Sequence, residues 1–89
     1  MPTENSWRIT FLKRAQRDFR SLDHTARQRI LDALEKLRAD PYTTPNVKRM
    51  KGQDAFRFRV GDYRILYTLR DAELVVEVIR IGNRREVYR

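Results

Sequence analysis

Apolar residues recur with three different spacings along this chain, and each spacing predicts a different element. Trp7 to Phe11 alternates apolar and polar positions, the two-residue period of a strand, with Arg8 and Thr10 turned to the opposite side. From Leu12 the period lengthens. Leu12, Ala15, Phe19 and Leu22 form one helical stripe, with Lys13, Arg14, Arg17 and Arg20 around it. Asp23 is placed to cap a second helix, whose stripe is Ala26, Ile30, Ala33, Leu34 and Leu37 and which ends near Asp40-Pro41. Pro41 and Pro45, with Thr43, Thr44 and Asn46 between and beside them, mark an irregular connection.

Alternation then resumes. Val47 to Lys51 reads as a strand, Gly52 to Asp54 as a turn, and Ala55 to Tyr67 as a hairpin bent at Gly61-Asp62, a two-residue turn with glycine at its first central position. In that hairpin Phe56, Phe58, Val60, Tyr63, Ile65 and Tyr67 share one face, and Arg57, Arg59 and Arg64 share the other. Asp71-Ala72 is a second turn. Leu74 to Ile81 is apolar except at Glu77 and Arg80, as expected of a central strand, and Gly82-Asn83 is expected to end it. The order β-α-α-β-β-β-β predicts an α+β domain over residues 1–89. Two antiparallel N-terminal helices cover one face of a mostly antiparallel sheet of four to five strands, and the other face stays open.

Composition narrows the chemistry. The chain has 89 residues, enough for one modest core, and no apolar run of about 18 residues to cross a membrane. With no cysteine, it can form neither a disulfide nor a thiolate site, and its start lacks the apolar segment of a signal peptide; both point to the cytoplasm. A net charge of +8 predicts a polyanionic or acidic partner. A metal centre is not expected, since the sole histidine, His24, sits at a helix start without companions at ligand spacing. No cofactor-binding glycine loop is present, because Gly52, Gly61 and Gly82 are scattered at strand ends.

What remains is arginine with tyrosine. In the predicted hairpin Arg59 stands opposite Arg64, a like-charge pair that is unfavourable by about 0.2–1 kcal/mol unless solvent or an anion relieves it. A guanidinium forks onto phosphate through two donors and keeps its charge, so this face is suited to a phosphodiester. Arg84 and Arg85 follow the last strand, and Tyr88 could move a proton if neighbouring guanidinium groups lowered its pKa by about 3 units. RNA carries its own nucleophile in the 2′-OH, leaving the protein to align and stabilise.

The W-R-I-T-F strand, the helix containing Ala15, Asp18 and Leu22, the helix ending at Asp40-Pro41, Lys51-Gly52, F-R-F-R-V-G-D-Y-R-I-L-Y and I-G-N-R-R-E-V-Y together resemble the RelE/ParE superfamily of toxins over essentially the whole chain. The resemblance implies the toxin of a type II toxin–antitoxin pair, neutralised by a protein antitoxin that wraps it. In the RelE branch it implies an endoribonuclease that cuts mRNA in the ribosomal A site, without metal or cofactor. Its functional residues fall on Arg64, Arg84 and Tyr88 as the catalytic set and on Arg57 and Arg59 as RNA contacts, with Lys51 and Arg85 as further expected RNA contacts. Two departures stand out: arginines at 57 and 59 where some RelE-type enzymes have lysine, and Asn83 where many relatives have histidine. The ParE branch shares the fold and inhibits DNA gyrase by binding protein. A basic RNA-binding module without activity is the third reading.

Overall fold

A computed structural model describes residues 6–52 and 54–83. The elements are β1 (Arg8–Phe11), α1 (Lys13–Arg20), α2 (His24–Leu37), β2 (Val47–Arg49), β3 (Phe56–Val60), β4 (Tyr63–Arg70), a 3-10 turn (Asp71–Glu73) and β5 (Val75–Asn83). They form a five-stranded sheet in the order β1-β5-β4-β3-β2.

β2 to β5 make an antiparallel meander, and β1 joins the far side of β5 in parallel. The two helices carry the chain from β1 at one edge to β2 at the other, and the meander returns it beside β1. β5 therefore becomes an interior strand, which is what its apolar sequence requires. The sheet is mixed at this one pair, so the expectation of a mostly antiparallel sheet holds.

The core lies between the sheet and the helices. Ala15, Ile30, Leu34 and Leu37 from the helices meet Phe56, Phe58, Val60, Ile65, Tyr67, Val76, Val78 and Ile81 from the sheet. Burying an aliphatic or aromatic side chain of this kind contributes about 1.5–3 kcal/mol. Phe56 stacks on Tyr67 at 5.4 Å, and Tyr42 sets its ring edge-on to both Phe56 and Trp7. The Asp23 carboxylate accepts from the Ala26 N–H at 2.8 Å, the expected cap of α2.

Where β1 stops, α1 takes over the edge of β5. The Leu12 N–H donates to the Val78 carbonyl at 2.9 Å, and one turn on, Asp18 Oδ2 accepts from the Ile81 N–H at 2.9 Å and from Arg80 Nε at 3.1 Å. A carboxylate thus takes the place of a further strand partner beside β5, and the backbone donor it satisfies would otherwise face the helix unpaired.

Two turns differ from expectation. Gly82-Asn83 does not end β5: Gly82 pairs with Arg64 and Asn83 with Tyr63, because β4 is long enough to keep offering partners. Asp71-Ala72 opens into a 3-10 turn closed by Leu74 in a left-handed conformation, φ 54°. The hairpin turn is as expected. Gly61 has φ 59° while Asp62 stays negative, which places glycine at the first central position of a type II′ turn. A Cβ at Gly61 would also lie 3.1 Å from Arg29 Nη1.

Candidate functional site

On the sheet face away from the helices, strand register arranges side chains in rows. One row runs Lys48, Arg57, Leu66 and Arg80 across β2, β3, β4 and β5; the next runs Arg59, Arg64 and Gly82. Arg59 stands directly opposite Arg64, as the hairpin pattern required. Asn46 lies just before β2 and ends the second row. It takes a left-handed backbone, φ 74°, accepts the Arg59 N–H at its carbonyl (3.1 Å) and accepts Arg59 Nη2 at its side-chain oxygen (3.1 Å). Asparagine is among the few residues that adopt this conformation readily, and here it fixes both the backbone and the guanidinium of Arg59.

These rows enclose a cavity of about 270 Å³ lined by Asn46, Val47, Lys48, Arg57, Arg59 and Arg64. Four of the six are cations, and none is acidic. The rest of this face is different. Arg70 pairs with Glu77 at 3.2 Å, and Arg80 with Asp18 at 3.1 Å. These two pairs lie away from the Gly61 turn, and the cations of the cavity gather beside it. A concave positive surface with low-dielectric walls draws in anions.

Gly82, opposite Arg64, puts no side chain between that arginine and the last strand. Arg57 and Arg64 are half-buried and Arg59 is exposed. Immobilised guanidinium groups of this kind present paired N–H donors at fixed angles, the geometry that suits phosphate oxygens.

A depression of about 410 Å³ adjoins the cavity through Asn46 and Arg59, passing around Gly61 to Arg29 and Lys36 of α2. Another cavity, about 470 Å³, lies elsewhere, between β1 and α2. Its walls are mostly apolar, Ile9, Phe11, Leu31 and Leu34, with Arg8, Glu35 and Arg38 beside them, and Arg38 is held by the Trp7 carbonyl at 2.7 Å and by Glu35 at 2.9 Å. Its two arginines share the lining with Glu35, so it gathers fewer cations than the open-face cavity.

Of the residues expected to form the site, Arg57, Arg59 and Arg64 converge on one cavity. Lys51 is exposed in the turn after β2 and does not line it. Lys48, which sequence reasoning did not select, takes that place because β2 pairs with β3 so that Lys48 stands opposite Arg57. The signal was present in the alternation of V-K-R, but the pairing register that gives it meaning was not. Arg84, Arg85 and Tyr88 lie outside the described residues. His24 is exposed at the first turn of α2, and among the described residues no cluster of His, Cys, Asp and Glu could hold a metal.

Comparison with known proteins agrees with this architecture. Residues 9–88 match the family model described as ParE toxin of type II toxin-antitoxin system, parDE. No curated protein matches the chain. Among solved structures, the chain is similar to the isolated E. coli RelE toxin, at 28% identity over 93% of this chain and 92% of that one, with a TM-score of 0.77. It is similar to the intact E. coli RelBE toxin-antitoxin complex at 26% identity, covering 88% and 96%, with a TM-score of 0.77. The archaeal RelE-RelB complex from Pyrococcus horikoshii OT3 shares the fold at 23% identity, covering 91% and 98%, with a TM-score of 0.78. A two-helix layer over a five-stranded sheet, matched by these structures and by a family model spanning nearly the whole chain, makes this protein a member of the ParE toxin family of type II toxin–antitoxin systems, within the RelE/ParE superfamily.

Proposed function

We propose that this toxin is a ribosome-dependent mRNA endonuclease, and that the cavity between Lys48, Arg57, Arg59 and Arg64 is where the RNA backbone lies. The observation that carries the reading is the convergence of four cations on one cavity of the open sheet face whose described lining includes no acid. Cations brought together on one face in this way present paired donors that suit phosphate oxygens.

In this reading Arg64 and Arg84 hold the scissile phosphate and stabilise the extra negative charge that develops on it as the 2′-oxygen attacks. Arg57 and Arg59 position the backbone, with Lys51 and Arg85 as outlying RNA contacts, and Tyr88 stacks on the nucleotide or takes the 2′-proton. Arg84 follows directly on Asn83, which is paired with Tyr63 beside Arg64. The reaction uses the 2′-OH as an internal nucleophile and needs neither metal nor cofactor, leaving alignment and charge stabilisation to the protein. A cognate antitoxin, an acidic protein that wraps the toxin, fits the +8 charge and the similarity to RelBE complexes.

A second reading, inhibition of DNA gyrase by protein binding, is favoured by the family model, which carries the ParE description. The two separate cleanly. Brief induction in cells followed by mapping of RNA 5′ ends is expected to show new ends inside translated messages, with Arg64→Ala reducing them about 10²–10³-fold, the usual loss for one donor to a developing oxyanion. Intact messages accompanied by gyrase-linked DNA breaks would assign the chain to the gyrase reading instead.

A further inference from the structure

Lys48 differs from its neighbours in the cavity in one chemical respect. Arg57, Arg59 and Arg64 carry guanidinium groups that do not release protons in proteins, whereas an ammonium, ordinarily near pKa 10.4, can. Among the described residues that line the cavity, Lys48 is alone in this, since the lining holds no histidine, carboxylate or phenol. It is exposed, and none of the ion pairs among the described residues involves it.

Its position is fixed by backbone pairing. Lys48 stands opposite Arg57, one row from Arg59 and Arg64 on the same face. Neighbouring strands are about 5 Å apart, and successive residues on one face about 7 Å apart. A four-carbon stem therefore lets the ammonium reach toward the guanidinium groups of the adjacent row.

We propose that Lys48 is the general acid of the cleavage reaction, donating its proton to the 5′-oxygen that leaves. This rests on the nuclease reading above. The 2′-oxygen forms a bond to phosphorus as the bond from phosphorus to the 5′-oxygen breaks. The proton on Lys48 Nζ passes to that 5′-oxygen, which departs as a 5′-hydroxyl. The 2′-proton goes to a base, solvent hydroxide or the Tyr88 phenolate, and Lys48 takes a new proton from water. The products are a 2′,3′-cyclic phosphate and a 5′-hydroxyl end. An alkoxide is far more basic than an amine, so the transfer from ammonium runs downhill.

The test is single-turnover cleavage of mRNA on programmed ribosomes by the wild type, Lys48→Ala and Lys48→Arg. Each is run on an ordinary message and on one whose bridging 5′-oxygen at the cut site is replaced by sulfur, a leaving group that departs without protonation. On the ordinary message Lys48→Ala is expected to be slower by about 10²–10⁴-fold, the usual range for proton transfer by a positioned group. Lys48→Arg, which keeps the charge, stays slow. On the sulfur message all three converge on the wild-type rate. If Lys48→Arg cuts the ordinary message at the wild-type rate, or sulfur fails to restore Lys48→Ala, Lys48 binds phosphate and is not the acid. Wild-type cleavage unaffected by Lys48→Ala overturns this inference alone, while a wild type that leaves both messages intact overturns the nuclease reading with it.

Discussion

Tyr67 is a core residue with a hydroxyl, fully buried yet satisfied, because that hydroxyl donates to the Pro41 carbonyl at 2.6 Å. Burial, reinforced by the charge of Asp40, pushes its pKa well above the ordinary tyrosine value of about 10. A raised folded-state pKa means the stability from the protonated form is complete below about pH 10 and is lost as the pH rises above it. Comparison of the wild type with Tyr67→Phe by chemical denaturation checks this. The variant is expected to lose about 1–3 kcal/mol at neutral pH, because the Pro41 carbonyl is left buried without its donor, and the difference should shrink as the pH rises above 10. Other residues were legible from pattern alone. Arg57, Arg59 and Arg64 were placed on one face by parity and a glycine turn, and both held. Lys48 was missed because its role depends on which residue of β3 it faces, a long-range fact that local alternation does not carry.

The element that sets the geometry of the last strand is α1, through Asp18. Its carboxylate bridges the Ile81 N–H and Arg80, with Arg14 at 3.6 Å on the other oxygen, at the point where β1 no longer covers β5. Asp18→Ala is expected to destabilise the fold by about 1–3 kcal/mol, since it leaves a partly buried backbone donor and a guanidinium unmatched. Amide exchange at Ile81 should accelerate more than at Val78, whose strand neighbours are intact. Asp18→Asn, which keeps an acceptor for the Ile81 N–H, should lose less. All the elements were visible as periodicity, and the Asp23 cap was visible as composition. The parallel pairing of β1 with β5 was not, because nothing in either strand's own pattern specifies its partner. Nor was the continuation of β5 through Gly82 and Asn83: glycine and asparagine usually punctuate strands, but here β4 supplies pairing that overrides their propensity.

Across the whole molecule, charge is divided as clearly as hydrophobicity. The helices shield an apolar layer on one side of the sheet; on the other side, carboxylates pair with Arg70 and Arg80, and Lys48, Arg57, Arg59 and Arg64 gather at the cavity beside the Gly61 turn. No helix among the described residues is long and apolar enough to cross a membrane. A cationic cavity on a protein with charge +8 draws in anions, and under the proposed function that anion is messenger RNA. The most direct check is purified toxin added to ribosomes holding a defined mRNA, with the message read by primer extension. The wild type is expected to give a cut within the A-site codon. The Arg59→Ala, Arg64→Ala double variant, folded as judged by its unfolding transition, is expected to leave the message whole. An intact message with the wild type, or equal cutting by the double variant, would contradict the account.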